Sequence, residues 1–527
     1  MLRLIRIVLL GAFTCASLAA QAADAVGTDT PERALHVLNR LGYGPRPGDI
    51  ERVAAIGVER YIAQQLQPES IAMPDLLSQR LVGLSAANLS AGEALAQFEQ
   101  ARRAAMNGDE AAKGERKEAY RRAALQIAES RLQRAIESPR QLEEVMVDFW
   151  YNHFNVFAGK GLDRALVASY ERDAIRPFVL GHFRDLLGAT AHHPAMLFYL
   201  DNWLSVAPGF TPPARGGKPG AKQASGLNEN YAREVMELHT LGVDAGYTQQ
   251  DVTELARMLT GWTFAPRQMM RGDGDFVFDP RRHDSGEKRW LGHRIAPAGR
   301  AEGESALDVL AAHPATARHI SFALAQYFVA DQPASALVDR LARRFEDTHG
   351  DIRAVLATLF ASTEFWQADA RGSKFKTPYQ YVISAARAAD LPVVNVRPLL
   401  GTLAQLGMPL YGCPTPDGYK NTEAAWLNPD ALSRRINFAT ALASGKLPLA
   451  RPDEDGAAAP MAPPQNATNT DTERAGNARW ASAPVDAGKL LQTLGPSISP
   501  ATRVTVAGSQ PALRAALLLG SPDFMRH

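Results

Sequence analysis

Apolar side chains along this chain recur mostly every three or four residues, the spacing of one face of an α-helix. Across 31–67, Leu35, Leu38 and Leu41 keep that spacing until Gly42-Tyr43-Gly44-Pro45-Arg46-Pro47-Gly48 interrupts it. Asp49 then caps a second run carrying Ile50, Val53, Ile56, Tyr61 and Ile62. Residues 90–149 are rich in Ala, Glu, Arg and Gln, with no proline before Pro139, and predict long helices whose charge reads as a solvated face. Further helices are predicted over 228–242, from 248, and over 313–344, 352–360 and 379–389. The strand signals in the middle of the chain are two short alternating runs, 276–278 and 290–295. With Asp284-Ser285-Gly286-Glu287 between them they predict one small hairpin. The expected fold is therefore mainly α: a multi-helical single large domain with a small β-hairpin.

The pattern changes at three places. Arg3 and Arg6 precede an apolar run ending at Ala20 and the small-x-small sequence Ala20-Gln21-Ala22, which predicts a secretory leader over 1–22, cleaved after Ala22. The run is shorter than the roughly 20 apolar residues a membrane span needs, so the expected product is periplasmic or secreted. Residues 207–225 are rich in proline and glycine and carry Arg215, Lys218 and Lys222; a mobile solvated loop is expected there, with a contact to an anionic ligand as the alternative. Residues 453–483 offer almost no large apolar side chains and read as a flexible linker. The helical core domain is thus bounded at 23–452, and a helical C-terminal tail over 484–527 is expected to pack on it. The tail's Leu518-Leu519-Gly520-Ser521-Pro522-Asp523-Phe524 echoes Leu359-Phe360-Ala361-Ser362-Thr363-Glu364-Phe365, one helix-ending device used twice.

Charge and cysteine content narrow the chemistry. The chain carries 57 basic and 56 acidic residues, two of the basic ones in the leader, so neither nucleic acid nor an anionic membrane is indicated as a general partner. Of its two cysteines, Cys15 leaves with the leader, and Cys413 alone makes no internal disulfide. HExxH, GxSxG, GxxxxGK[ST] and paired CxxC signatures are all absent.

Three polar clusters remain. In Asp148-Phe149-Trp150-Tyr151-Asn152-His153-Phe154-Asn155, His153 has the chemistry to ligate a metal or shuttle a proton, or to serve as a core histidine bonded to backbone. On the helical wheel of 228–242, Glu234 and His239 fall toward the apolar face of Tyr231, Val235 and Leu238; a buried carboxylate must be paired, protonated or bound to a cation. Arg233 and Glu237 are spaced to pair on the outer face. Thr248 and Asp251 form a capping box, and Glu254 and Arg257 fall on the polar side of the helix that follows. The third cluster, His283-Asp284-Ser285-Gly286-Glu287-Lys288, reads either as an acid–base or metal pair on a loop or as turn chemistry.

The stretches His36-Val-Leu-Asn-Arg-Leu-Gly-Tyr-Gly44, Phe149-Trp-Tyr-Asn-His-Phe154, Asn228-Glu-Asn-Tyr-Ala-Arg-Glu-Val-Met-Glu-Leu-His-Thr-Leu-Gly242, Tyr247-Thr-Gln-Gln-Asp-Val252, Thr260-Gly-Trp262, His283-Asp284 and Ser521-Pro-Asp-Phe524 occur in one order. Together they resemble the bacterial family known as domain of unknown function 1800. The resemblance implies an exported helical protein, often encoded beside another exported family similar to sulfatases, and a position 239 that is often phenylalanine.

Two functions are consistent with these residues. One is an envelope or extracellular enzyme whose catalytic pocket gathers His153, Glu234, His283 and Asp284, with His153, Glu234 and His283 as ligands of a divalent metal. The other is a non-catalytic scaffold or binding partner of a sulfatase-like exported protein, its polar clusters being structural networks.

Overall fold

The structure, a computed structural model, describes residues 30–107, 110–210, 226–450 and 483–527. The leader at 1–22, most of the expected loop at 207–225 and nearly all of the expected linker at 453–483 lie outside the described residues. Helices dominate, and the sheets consist of two antiparallel strand pairs. Among the described residues no helix is long and apolar enough to cross a membrane.

One apolar cluster runs from Ala34 to Met525. Its centre is the helix Pro378–Ala389, buried on every side up to Ala388, as expected of a helix with no solvated face. Against it pack the long helix Glu110–Glu137 and the helices Arg397–Gln405 and Ala487–Leu494, while the N-terminal helix Pro31–Arg40, started by the Thr30 side chain, and the helix Gln141–His153 belong to the same apolar cluster. The break after Leu41 occurs where the pattern places it: Gly44 takes a positive φ of 88° and lies against the Ser384 side chain, a close approach that a β-carbon would obstruct.

The C-terminal segment returns to the core. The helix Arg514–Leu519 packs on the helix Pro429–Ala443, and Arg526 forms a β-bridge to Phe375. The repeated device is present twice: Ser362 Oγ accepts from the Phe365 N–H and donates to the Leu359 carbonyl, and Ser521 Oγ does the same with Phe524 and Leu518.

Two expectations are corrected. The runs near 277 and 290 do not pair with each other: Val277–Phe278 pairs with Trp262–Thr263, and Lys288–Trp290 pairs with His293–Ile295. Local alternation identified strand-forming residues but not partners, which are chosen by what each strand covers. The charge of the 90–149 region is also not all solvated, since Arg131 is buried.

Gly92, on the helix Ala91–Asn107, tests this packing. A β-carbon there would lie 1.9 Å from the Met269 carbonyl oxygen, a backbone atom with no rotamer to yield. Alanine ordinarily favours a helix by about 1 kcal/mol over glycine. Gly92→Ala is expected instead to destabilise by roughly 1–3 kcal/mol, read from urea denaturation midpoints; a stabilised variant would contradict the close approach.

Candidate functional site

His153 ends the helix Gln141–His153 among Phe149, Trp150 and Phe154. Its Nε2 lies 3.1 Å from the His239 carbonyl oxygen. Its ring centroid is 6.2 Å from that of His239 and 6.0 Å from that of His319, a residue the sequence reading did not single out. His319 Nδ1 is 2.7 Å from the Thr240 carbonyl oxygen, and the buried Nε2 of His239 has no hydrogen-bond partner among the described residues. Burial, with the neighbouring His319 adding to it, lowers the pKa of His153 to about 3. Burial, with both other imidazoles adding to it, holds His239 well below its ordinary value, and burial lowers His319. The three rings are therefore a neutral packed group at ordinary pH.

Glu234 sits on a shorter helix than the pattern predicts. That helix spans Asn230–Glu237, because the Asn228 side chain accepts from the Asn230 N–H before it and the chain leaves helical geometry after Leu238. Glu234 is half-buried rather than buried and makes no ion pair among the described residues. Burial raises its pKa, with Glu237 and Asp417 repelling the ionised form and Arg233 opposing them. Arg233 turns away from Glu237 and bonds Glu229, 3.5 Å away, and Gln249.

The His283–Asp284 pair belongs to a third arrangement. Asp284 accepts from Arg257 at 2.7 Å and from the Gly286 N–H, as an ordinary turn aspartate does. Burial alone would raise its pKa, but the Arg257 guanidinium prevails and lowers it. His283 lies between the Thr260 carbonyl, at 2.9 Å, and Glu302, at 3.2 Å, and Glu302 also meets the buried Lys288 at 2.6 Å. The network ties the strand Lys288–Trp290 to the helices Gln249–Met258 and Arg300–Ala312. It also buries Glu254, bonded to Arg257 and to the Arg289 N–H, where the helical wheel placed it on the polar side. The expected capping box of Thr248 and Asp251 is present.

Among the described residues no hydrogen bond, ion pair or ring contact joins any two of His153, Glu234 and the His283–Asp284 pair. No group of three or more His, Cys, Asp or Glu side chains is arranged there to hold a metal ion. His153 bonds the His239 carbonyl, His283 and Asp284 bond Thr260, Glu302 and Arg257, and the Glu234 carboxylate makes no hydrogen bond or ion pair among the described residues.

A different site assembles around Arg131. Its Nη1 donates to Glu171 and its Nη2 to Asp148, both at 2.6 Å. The guanidinium lies 5.2 Å from the ring centre of Tyr151, 5.4 Å from that of Tyr379 and 5.3 Å from that of Tyr411. Glu171, on the π-helical turn Tyr170–Ile175, also accepts from Arg176 at 3.3 Å and from the Tyr411 hydroxyl at 2.8 Å. Arg176 in turn grips Glu144 through two bonds, at 2.8 and 3.0 Å. π-Helical turns and left-handed residues outside glycine are uncommon and concentrate at functional sites, and both occur here: the turn Tyr170–Ile175, and Tyr411 with φ +56°.

The asparagines of the aromatic motif hold Tyr411 in place. Asn155 donates to the carbonyls of Cys413 and Thr415, Asn152 both donates to and accepts from the Tyr419 backbone, and the Ala158 N–H donates to the Tyr411 carbonyl. Between this loop and the helix a narrow recess opens, lined by Asp148, Tyr151, Tyr379, Leu410, Tyr411 and Tyr419. Its free interior of about 30 Å³ holds roughly two waters. The two carboxylates on Arg131 titrate in opposite directions. Burial raises Asp148 despite Arg131; burial also opposes ionisation of Glu171, but Arg131, Arg176 and Tyr411 outweigh it and lower its pKa. A sequence signal for this site existed in the four-residue spacing of Glu144, Asp148 and Asn152 along one helix.

The chain belongs to the family described as protein of unknown function, DUF1800, whose model matches residues 36–526. Comparison with curated proteins and with solved structures gives no match.

The histidine group yields a signed pH dependence. An unfolded histidine protonates near 6.5, whereas burial keeps His239 neutral well below that. The unfolded state therefore binds the extra proton, and stability falls as pH drops below about 6.5. His239→Phe removes this group and its unpaired Nε2. Relative to the parent, the variant is expected to gain roughly 2 kcal/mol more at pH 4.5 than at pH 7.5. Equal differences in urea denaturation at the two pH values would contradict this.

Proposed function

We propose that the protein is an exported enzyme of the acid–base type, with Asp148 as its proton-donating group and an uncharged, hydroxyl- or carbonyl-bearing group as its substrate. One observation carries the reading: Asp148 spends one oxygen on Arg131 and lines the tyrosine-walled recess, with its pKa raised by burial while Glu171, on the same arginine, stays ionised. Carboxyl groups whose surroundings drive their pKa values apart are the usual arrangement for an acid paired with a fixed anion. Arg131 holds the Asp148 carboxyl in one orientation. The phenolic walls supply ring faces suited to a neutral group. The narrow interior favours the end of a longer substrate over a whole one. The charged leader pattern of Arg3, Arg6 and the apolar run ending at Ala20 supports export, and so a periplasmic or secreted location.

A second reading, a scaffold or binding partner of a sulfatase-like exported protein, is favoured by a specific observation. Tyr151, Asn152, Asn155, Tyr411 and Tyr419 already direct polar atoms to internal partners. Buried ionic networks of this kind also serve structure alone.

Ligand-detected NMR with a panel of neutral sugars, esters and amides, and with carboxylates as controls, separates the two. A neutral compound is expected to bind the parent and to lose at least about tenfold in affinity, roughly 1.4 kcal/mol, in Asp148→Asn and in the milder Tyr379→Phe, with folding intact by circular dichroism. Absence of any neutral binder, or binding unchanged in both variants, overturns the enzyme reading in favour of the scaffold.

A further inference from the structure

Behind the Arg131–Glu171 pair lies a second recess, of about 370 Å³ including its open mouth, lined by Ser130, Arg134, Glu171, Arg172 and Arg176 among others. Arginine in such a place is ordinarily matched by an acceptor, and most of these are. Arg131 is consumed by Asp148 and Glu171, and Arg176 by Glu144 and Glu171. Arg172 is taken up by Asp173 and by the carbonyls of Ala87 and Leu89. Asn88, also on the wall, gives its amide hydrogens to the carbonyls of Leu81, Val82 and Leu84.

Arg134 is the exception. Its half-buried guanidinium has no hydrogen bond and no ion pair among the described residues, and neither has the Ser130 hydroxyl one turn before it on the helix Glu110–Glu137. Residues four apart on a helix share a face, so a free hydroxyl and a free guanidinium lie side by side at this recess. The carboxylates of Glu144, Glu171 and Glu143 act on Arg134 only through space, and Arg176 repels it. A half-buried cation beside like charge is stabilised by an anion that accepts from its planar fork.

We propose that Ser130 and Arg134 form a binding site for a small oxyanion, such as a carboxylate or sulfate group, separate from the tyrosine-walled recess. The guanidinium fork donates to two oxygens of the anion and the Ser130 hydroxyl to a third contact, leaving the bonds of Arg131 and Arg176 in place. The site does not depend on Asp148 having a catalytic role.

Thermal unfolding of the full chain in sodium sulfate and in sodium acetate, each against sodium chloride at equal ionic strength, tests this. Sulfate stabilises most proteins by exclusion from their surface, so the informative quantity is the saturable part of the response that depends on Arg134. A midpoint that rises and saturates at millimolar sulfate or acetate is expected in the parent. That rise should be lost in Arg134→Gln, partly kept in Arg134→Lys and weakened severalfold in Ser130→Ala. Arg134 makes no side-chain bond among the described residues, so Arg134→Gln is expected to fold, checked by an unchanged midpoint in chloride. Identical, non-saturating responses in the parent and Arg134→Gln would mean a general salt effect only and overturn the proposal. So would a saturating response that survives Arg134→Gln.

Discussion

A guanidinium removed from water must be surrounded by acceptors, and the burial of Arg131 imposes that requirement on much of this molecule. Satisfying it brings together parts of the chain that are far apart in sequence: the long helix carrying Arg131, the following helix carrying Asp148, the π-helical turn carrying Glu171 and the loop carrying Tyr411. Removing one acceptor from such a centre costs about 3–5 kcal/mol in general, because a charge is left stranded. The centre therefore acts as an all-or-none constraint on how these segments dock. Its three flanking tyrosine rings lie within cation–π range of the guanidinium.

The same centre explains how a chain lacking familiar catalytic signatures still presents polar groups at recesses on its surface. Tyr411 adopts a left-handed backbone conformation that a bulky residue takes only when its surroundings demand it. The surroundings here are specific: Asn155 and Asn152 hold the chain that follows, at Cys413, Thr415 and Tyr419, and the Glu171 carboxylate takes the hydroxyl. Polar atoms on the aromatic motif thus serve first to build a wall. What that wall leaves open is Asp148 on one side and the Ser130–Arg134 face on the other.

Elsewhere the fold solves the problem of buried polar groups by neutrality. His153, His239 and His319 pack ring against ring as uncharged imidazoles. Lys376 follows the same logic near the C-terminal segment: burial, with Arg435 adding to it, lowers its pKa to about 7, and it donates to Ser384 over the ring of Phe524. Both arrangements are costly if protonated, which makes the fold depend on pH as well as on apolar contact.

The sequence by itself determined the helical class, the break after Leu41, the Thr248–Asp251 capping box and the serine device used at 362 and again at 521. Each of these rests on neighbours within a few residues, where helical spacing and capping chemistry act before any tertiary contact forms. It did not determine which strands pair, that the helix at 228–242 stops at Glu237, or that Glu254 is buried, because those outcomes depend on what other segments arrive to cover each face. The site shows the same division. His153, Glu234, His283 and Asp284 were conspicuous by residue type, yet His153, His283 and Asp284 are bonded within their own surroundings and Glu234 makes no ion pair among the described residues, whereas Arg131 was hidden in a charge-rich helix that resembles any solvated one. Only the tertiary structure decided its burial, since a guanidinium becomes a centre when carboxylates from distant segments close around it, and no local spacing encodes that meeting.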